Sequence, residues 1–137
     1  MTLLLRTLIF IVALLGPSMA QASCKIYKKD SAMYANLVAN IQGDKLYRKD
    51  SSMYSNLIAN LRGDKIYRKD SGMYGNLLAN IQGSKIYRKD SSMHGNLIAN
   101  VKGDKIYLKD STMYSNLALN GRGCSAKQLA FAAGALL

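Results

Sequence analysis

Short apolar runs and polar stretches recur along this chain with a period of twenty residues, over positions 25–124. Each unit opens with Lys–Ile–Tyr or Lys–Leu–Tyr, passes through a polar segment containing Asp–Ser, and ends with a mixed Asn and apolar run before a glycine. The five units follow one another without insertion or deletion, and they open at Lys25, Lys45, Lys65, Lys85 and Lys105. An internal period of this kind predicts a fold built from repeated units of one supersecondary structure.

Each unit contains two short runs that are typical of β-strands, for example Leu37–Gln42 and Lys45–Arg48, joined by Gly43 and Asp44. A two-residue link that begins with glycine favours a type II′ hairpin turn, whose first central residue has a positive φ. One predicted face of this hairpin is apolar and carries Leu37, Ala39, Ile41 and Leu46. The other face is mixed and carries Val38, Asn40, Gln42, Lys45 and Tyr47, so we expect it to be solvated. The connection from residue 49 to residue 56 is rich in Asp, Ser and Asn and is predicted to be a turn.

The only two cysteines, Cys24 and Cys124, occupy the same phase of the repeat five units apart. Single hairpins are not stable alone in water, so the five must share one core. An open solenoid with one strand layer per repeat would separate the two cysteines by about 24 Å, whereas a disulfide needs Cα atoms within about 7 Å. If they pair, the repeats close into a ring, and the disulfide replaces the missing turn between the last strand, 117–122, and the first, 25–28.

The ends of the chain differ from the repeats. Residues 1–22 combine Arg6, an apolar run and small residues at the exit, which predicts a secretory signal peptide and an exported protein, periplasmic or extracellular. The apolar run is too short for the alternative, a membrane anchor. Export favours a Cys24–Cys124 disulfide; lipidation of Cys24 is the weaker alternative, because Gln21 stands where a lipoprotein signal has an aliphatic residue.

Residues 125–137 are predicted to form an apolar helix that starts with a capping box from Ser125 to Gln128. The fifth repeat differs from the others at Leu108, which replaces a basic residue, and at Gly121, which replaces a larger apolar one. Ala118 and Leu119 also reverse the usual Ile–Ala order. We interpret these changes as an adaptation to a helix that caps one end of the ring. The alternative is a membrane or partner anchor, although the segment is too short to span a bilayer.

The repeat, with its Ile–Tyr strand, Asp–Ser turn and Asn–Leu–Ile–Ala strand closed by glycine, resembles the small bacterial five-fold β-flower proteins and their four-fold relatives over residues 25–124. The resemblance implies five hairpin petals around a pseudo-five-fold axis and implies no activity. The expected fold is therefore all-β, with five 20-residue β-hairpin repeats closed into a ring and a short C-terminal helix. The expected organisation is a signal peptide at 1–22, a five-repeat domain at 23–124 and the helix at 125–137.

Charge adds a hypothesis about binding. The chain has 19 Lys and Arg against 8 acidic residues, a formal net charge of +11. The candidate anion-binding residues recur at two adjacent phases: Lys28, Arg48, Arg68 and Arg88, then Lys29, Lys49, Lys69, Lys89 and Lys109. The candidate stacking residues are Tyr27, Tyr47, Tyr67, Tyr87 and Tyr107. A basic crown with aromatic surfaces suits an anionic polymer such as lipopolysaccharide, peptidoglycan or nucleic acid. An Asp follows each of these lysines, so a solvated surface that only keeps the protein soluble is the alternative.

Other recurring residues are weaker candidates. Five methionines recur at one phase of the repeat: Met33, Met53, Met73, Met93 and Met113. Thioether groups are ligands of copper(I), but packing in the core or at the rim is the favoured interpretation. The single His94 stands where other repeats have tyrosine, and no metal-ligand spacing surrounds it. We therefore predict no metal site, no cofactor and no catalytic residues, since catalysis needs unlike groups that converge.

The sequence predicts a non-catalytic binding or structural module of the bacterial envelope whose ligand is not specified. One alternative is a specific binder of an anionic envelope polymer, and another is a protein that assembles into oligomers, whose partner is then another envelope protein.

Overall fold

Residues 24–137, the part of the chain described by the computed structural model, form a closed antiparallel barrel of ten strands with one α-helix. The strands are β1 Cys24–Lys28, β2 Leu37–Gln42, β3 Lys45–Arg48, β4 Leu57–Arg62, β5 Lys65–Arg68, β6 Leu77–Gln82, β7 Lys85–Arg88, β8 Leu97–Lys102, β9 Lys105–Leu108 and β10 Leu117–Asn120. The helix is α1, Ala126–Leu136. The expected all-β repeat fold with a short C-terminal helix is confirmed, while the predicted signal peptide at 1–22 lies outside the described residues.

The hairpins have the register that the sequence predicts. In the pair β2–β3, Gln42 lies opposite Lys45, and Asn40 lies opposite Tyr47. Gly43 has a φ of 64°, and it is the only turn residue there with a positive value, as a type II′ turn requires. The hairpins β4–β5, β6–β7 and β8–β9 repeat this arrangement.

Each hairpin also pairs with its neighbours, and a bulge at every such junction changes one expected face. Between β1 and β2, Ile26 pairs with Ala39 and Tyr27 with Leu37, so Val38 is the extra residue. The prediction that Leu37 shares the core face with Ala39 is therefore wrong: Leu37 is buried outside the central apolar cluster, and Val38 packs against that cluster. Each bulge shifts the residues that precede it by one position in the alternation between the two faces of the strand. A prediction based on strict alternation does not include this shift.

The fifth hairpin is formed by the two ends of the repeat region. Strand β1 pairs with β10, with Tyr27 opposite Asn120, the equivalent of the Asn40–Tyr47 pair in the first repeat. Cys24 and Cys124 form a disulfide with their Cα atoms 5.1 Å apart. The closed ring and the disulfide are confirmed, and pairing leaves no strand edge in the barrel. The last strand is shorter than predicted, because β10 ends at Asn120 rather than at residue 122.

Helix α1 lies inside the barrel. Six consecutive residues, 129–134, are buried, and these cover every side of the helix, whereas the residues before and after them are more exposed. The helix contacts strands β4 to β9, and its predicted capping box is present, with Ser125 Oγ accepting from the Gln128 backbone N–H at 3.1 Å. The expectation that the helix caps an end of the ring is corrected: it fills the interior, because the space enclosed by ten strands needs apolar side chains from within. Nowhere in residues 24–137 is there a helix that is both long and apolar enough to cross a membrane.

Glycine makes two close approaches between the helix and the barrel possible. A Cβ on Gly121 would lie 2.8 Å from both the Cys124 Sγ and the Leu129 Cδ2 atoms. A Cβ on Gly134, within α1, would collide with Ile66. Gly121 is thus the adaptation to the helix that the sequence suggested, whereas Leu108 is 41% exposed and takes no part in it.

Candidate functional site

The candidate basic residues lie together where the hairpins lead into the outer loops, the five eight-residue connections 29–36, 49–56, 69–76, 89–96 and 109–116. The first set ends strands β1, β3, β5 and β7, and the second set forms the first residue of each outer loop. All nine side chains are exposed: Lys28, Arg48, Arg68, Arg88, Lys29, Lys49, Lys69, Lys89 and Lys109. The fifth repeat contributes one basic residue instead of two, because Leu108 ends β9.

The outer loops fold back over the outside of the barrel and are held there by buried asparagines. The Asn40 side chain alternates with the core residues of β2, and its Nδ2 donates to the Lys49 carbonyl at 3.0 Å and to the Ser51 carbonyl at 2.8 Å. The same pair of hydrogen bonds recurs in every repeat, from Asn60, Asn80, Asn100 and Asn120. These asparagines therefore satisfy backbone carbonyls of the loops. They are buried rather than solvated because the loop covers them.

The aspartates that follow the basic pairs are bound to other lysines. Lys25 Nζ lies 3.0 Å from Asp50 Oδ1 in the next repeat, and the equivalent pairs join each repeat to its neighbour. The remaining pairs are Lys45–Asp70, Lys65–Asp90, Lys85–Asp110 and Lys105–Asp30. The last of these connects the fifth repeat to the first, so the ion pairs close around the barrel as the strands do.

These ion pairs stabilise the charged form of lysines that begin the repeats, as at Lys25 and Lys105. The hydrogen bond to Asp50 raises the pKa of Lys25, and the bond to Asp30 does the same for the pKa of Lys105. The hydrogen bond from Lys85 lowers the pKa of Asp110. With the aspartates occupied in this way, none of the nine candidate basic residues has a carboxylate within 4.0 Å among residues 24–137. The order of residues in the sequence suggested that each Asp neutralises the charge of the basic residues directly before it. In the structure each of these Asp side chains instead pairs with a lysine of the adjacent repeat, as Asp50 does with Lys25.

The exposed aromatic residues are a different set from the predicted stacking residues. Tyr27, Tyr47, Tyr67, Tyr87 and Tyr107 are half-buried within the strands. The outer loops instead expose Tyr34, Tyr54, Tyr74 and Tyr114, each about two-thirds accessible, with His94 at the same phase. The replacement of tyrosine by histidine at this phase, within a polar loop, was the signal in the sequence that this position is at the surface.

The methionines beside these tyrosines are exposed as well. Met33 and its equivalents are between 65% and 72% accessible, so a core role for them is wrong. They precede short 3₁₀ turns, such as Tyr34–Asn36, that lead the chain into the next strand. Together the methionines and tyrosines form the Met–Tyr rim: Met33, Tyr34, Met53, Tyr54, Met73, Tyr74, Met93, His94, Met113 and Tyr114.

The junction of the two chain ends departs from the other repeats in two ways. Lys29 Nζ donates to the Leu117 carbonyl at 3.1 Å. The lysines that begin the other four outer loops make no equivalent contact within the described residues. In three repeats the asparagine Oδ1 accepts from the residue two positions later, as Asn40 does from Gln42. Asn120 Oδ1 has no partner in residues 24–137, and the side chain two positions later, Arg122, lies near Asp30 instead, with 3.9 Å between Nη2 and Oδ1.

The geometry contains no assembled metal site in the part of the chain that the structure describes: no three His, Cys or Asp side chains come together within 24–137. What the surface offers is one arrangement of basic and aromatic residues, displayed five times around a barrel. The disulfide uses both thiols of the chain.

These features define a class of protein: a closed barrel of hairpin repeats, joined by a disulfide between its ends, with exposed basic and aromatic residues on its outer loops. The chain matches the family model described as 6-fold beta flower protein over residues 23–128, and it belongs to that family. This member has five hairpins rather than the six of the description. No significant match was found among curated proteins or among solved structures.

Proposed function

We propose that this protein is an exported, non-catalytic module that binds anionic polymers of the bacterial envelope through its basic outer loops. The observation that carries the proposal is the set of nine exposed basic residues without carboxylate partners. If these residues served only solubility, neighbouring aspartates could pair with them at no loss. The aspartates are instead bound in the ring of ion pairs, and the basic residues stay available to a ligand.

Repetition suits a polymeric ligand better than a small substrate. Exposed charge contacts are individually weak because water and salt screen them. A polymer that meets several equivalent sites gains affinity from each additional contact without the full cost of a new association. Catalysis, by contrast, needs unlike groups at one point, and the five loops offer like groups at five points.

Export is part of the proposal. A disulfide is maintained in oxidising compartments and is rare in the cytosol. The Cys24–Cys124 bond is compatible with an exported protein, and the residue pattern at 1–22 supports export through a signal peptide.

The test is retention of the purified, oxidised protein on immobilised lipopolysaccharide, peptidoglycan and DNA at two salt concentrations. We expect binding that falls steeply between about 50 and 200 mM salt, because each neutralised anion releases counterions. Replacing the nine candidate residues with Gln should abolish retention. Lys102→Gln with Lys127→Gln, which removes two positive charges outside the set, should reduce it only slightly. Retention that is indifferent to salt, or that survives the nine substitutions, would contradict the proposal.

A second candidate is self-assembly, which the exposed Met–Tyr rim favours. Exposed apolar groups grouped on a surface are typical of protein contact sites. Sedimentation velocity over a range of protein concentrations separates the two functions: a stable oligomer that dissociates when the rim tyrosines are replaced by Ser supports assembly, and a monomer at every concentration rejects it.

A further inference from the structure

The first residue of each outer loop is a lysine with a left-handed backbone. The φ values are 49°, 54°, 53°, 55° and 55° for Lys29, Lys49, Lys69, Lys89 and Lys109, and these are the only residues other than glycine with positive φ in residues 24–137. A side chain with a Cβ is disfavoured in this region, where glycine is the default and asparagine is tolerated. Each repeat uses glycine at its other position of positive φ, as at Gly43. The backbone alone therefore does not explain why lysine occupies the loop position.

The surrounding structure holds this conformation firmly. The Lys49 backbone N–H donates to the Val38 carbonyl at 2.8 Å, and its own carbonyl accepts from Asn40. The Ser51 N–H donates to the Arg48 carbonyl at 3.1 Å and closes a turn with Lys49 as its first central residue. Strain that is over-determined by its neighbours and repeated at an exposed residue is a pointer to a functional position.

Comparison among the five repeats separates this lysine from the basic position before it. The preceding position accepts Lys28, Arg48, Arg68, Arg88 and Leu108. The position three residues after the lysine varies as Ala32, Ser52, Gly72, Ser92 and Thr112. Duplication has thus left some loop positions free to change, while the strained position is lysine in all five repeats and arginine in none. The Asp and Ser that follow it are equally invariant, but each has a structural partner: Asp50 pairs with Lys25, and Ser51 Oγ accepts from the Asn56 side chain.

The preference for lysine over arginine indicates how the bound group is contacted, by one point charge rather than by a paired fork. Arginine presents a planar fork that suits paired contacts with a carboxylate or a phosphate. Lysine presents a compact ammonium that acts as a point charge and is well suited to a single phosphate oxygen. The neighbouring carboxylate does not compete, because Asp50 is bound to Lys25 of the preceding repeat.

We infer that the five strained lysines are the residues that contact the ligand, one phosphate group per repeat, and that the preceding Lys and Arg residues supply only general positive potential. This inference rests on the proposed function and adds the contacting residues and the chemical group. Because the loops lie on the outside of a closed barrel, the five sites face outward, each a fifth of a turn from the next. The suitable ligand is a flexible polymer that carries phosphate groups.

The chain offers a matched pair of variants for the test. One replaces Lys49, Lys69, Lys89 and Lys109 with Asn, and the other replaces Lys28, Arg48, Arg68 and Arg88 with Asn. Both remove four exposed positive charges from adjacent positions. Lys29 is kept in both, because one of its three N–H donors binds the Leu117 carbonyl, so its replacement would also break a contact within the barrel.

Affinity for long-chain inorganic polyphosphate is measured by calorimetry, with polygalacturonate as a carboxylate polymer for comparison. We expect the strained-lysine variant to lose at least about tenfold more polyphosphate affinity than its partner variant. We also expect it to melt at a higher temperature than the parent, because asparagine tolerates positive φ. Replacing the same four lysines with Arg keeps the charge and should still lower polyphosphate affinity.

The outcomes separate the inference from the proposed function. Equal loss in the two Asn variants would overturn the inference and leave a diffuse electrostatic binder. A parent that prefers polygalacturonate would overturn the phosphate assignment. A parent that binds neither of these polymers and is not retained on any envelope polymer would overturn both. If the Asn variant does not fold, the same comparison is made with Gly at the four positions, which removes both the charge and the strain.

Discussion

At the scale of single residues, the buried asparagines connect strand and loop. Asn40 and its equivalents lie on the outer face of their strands, where alternation predicts solvent, and each donates two hydrogen bonds to loop carbonyls. A buried amide with satisfied donors costs little, whereas an unsatisfied one costs about 1–3 kcal/mol. The asparagines therefore fix where the outer loops lie and, with them, where the basic residues point.

Gly134 gives a residue-scale prediction in which packing opposes helix propensity. Alanine is favoured over glycine by about 1 kcal/mol in the interior of a helix. At Gly134 the added methyl would collide with Ile66 and approach Ala79 to 3.0 Å. We therefore expect Gly134→Ala to destabilise the protein by about 1–3 kcal/mol, the usual cost of overpacking.

The matched control is Gly75→Ala, where a Cβ meets no atom within 4 Å, and three of the four other repeats carry Ala or Ser at the equivalent position. Chemical denaturation of both variants measures the difference. A Gly134→Ala protein as stable as the parent would mean that α1 is packed less closely than the structure shows.

At the scale of elements, the hairpins and the helix depend on each other. The strands have only four to six residues, and the side chains that they point inward surround α1 on every side. The 11 residues of the helix span about 16 Å, which is comparable to the length of such strands. Neither element can bury its apolar surface alone, so we expect them to fold as one unit.

Truncation after Cys124 tests this dependence. Without residues 125–137, the inward side chains of the barrel, such as Ile66 and Ile86, lose their apolar contacts. We expect a protein that binds a hydrophobic dye and lacks a cooperative thermal transition. Deletion of Leu137 alone, which is 43% exposed, is the control and should leave the transition nearly unchanged. A truncated protein that melts like the parent would show that the barrel is stable with an empty interior.

At the scale of the whole molecule, closure is achieved by three independent systems. The strand ladder passes through β1 and β10, the ion pairs connect Lys105 to Asp30, and the disulfide joins Cys24 to Cys124. The ion pair recurs between the other repeats, and the strand ladder is a shortened form of the one in the other hairpins, with two residue pairs instead of four. The disulfide is particular to the fifth hairpin, where no covalent turn joins the strands.

Removal of the disulfide gives the prediction for the whole molecule. The bond spans a sequence separation of 100 residues. In the chain-entropy model a loop of that size contributes up to about 4–5 kcal/mol by restricting the unfolded chain. We expect Cys24→Ser with Cys124→Ser to lower the denaturation midpoint markedly and to make it insensitive to reducing agent. An unchanged midpoint would show that strand pairing alone closes the ring.

The hairpins and their register could be predicted because they depend on neighbours in the sequence. The glycine turn, the alternation of Ala39 and Ile41 and the phase of the two cysteines were sufficient for that. The bulge at Val38, the partner of each aspartate and the exposure of the methionines could not be predicted. They depend on how adjacent repeats meet, and the repeat pattern contains no information about the offset between them.

The candidate site was predicted in part for the same reason. The sequence identified the two basic phases as a regular array, and the structure places them as exposed residues at strand ends and at the first positions of the outer loops. It did not identify the strained backbone of the second phase, because lysine gives no sign of a positive φ. The exposed tyrosines were also missed, since burial of Tyr27 depends on its pairing with the neighbouring strand.

The sequence by itself determined the repeat, the hairpin, the closure of the ring and the presence of a terminal helix. These follow from local periodicity, turn residues and the spacing of two cysteines. The tertiary structure alone decided that the helix fills the barrel, that the aspartates bind across repeats and that five lysines are held in the left-handed region. These features arise from contacts between segments that are distant in the chain, and a one-dimensional pattern does not specify which of its surfaces will meet.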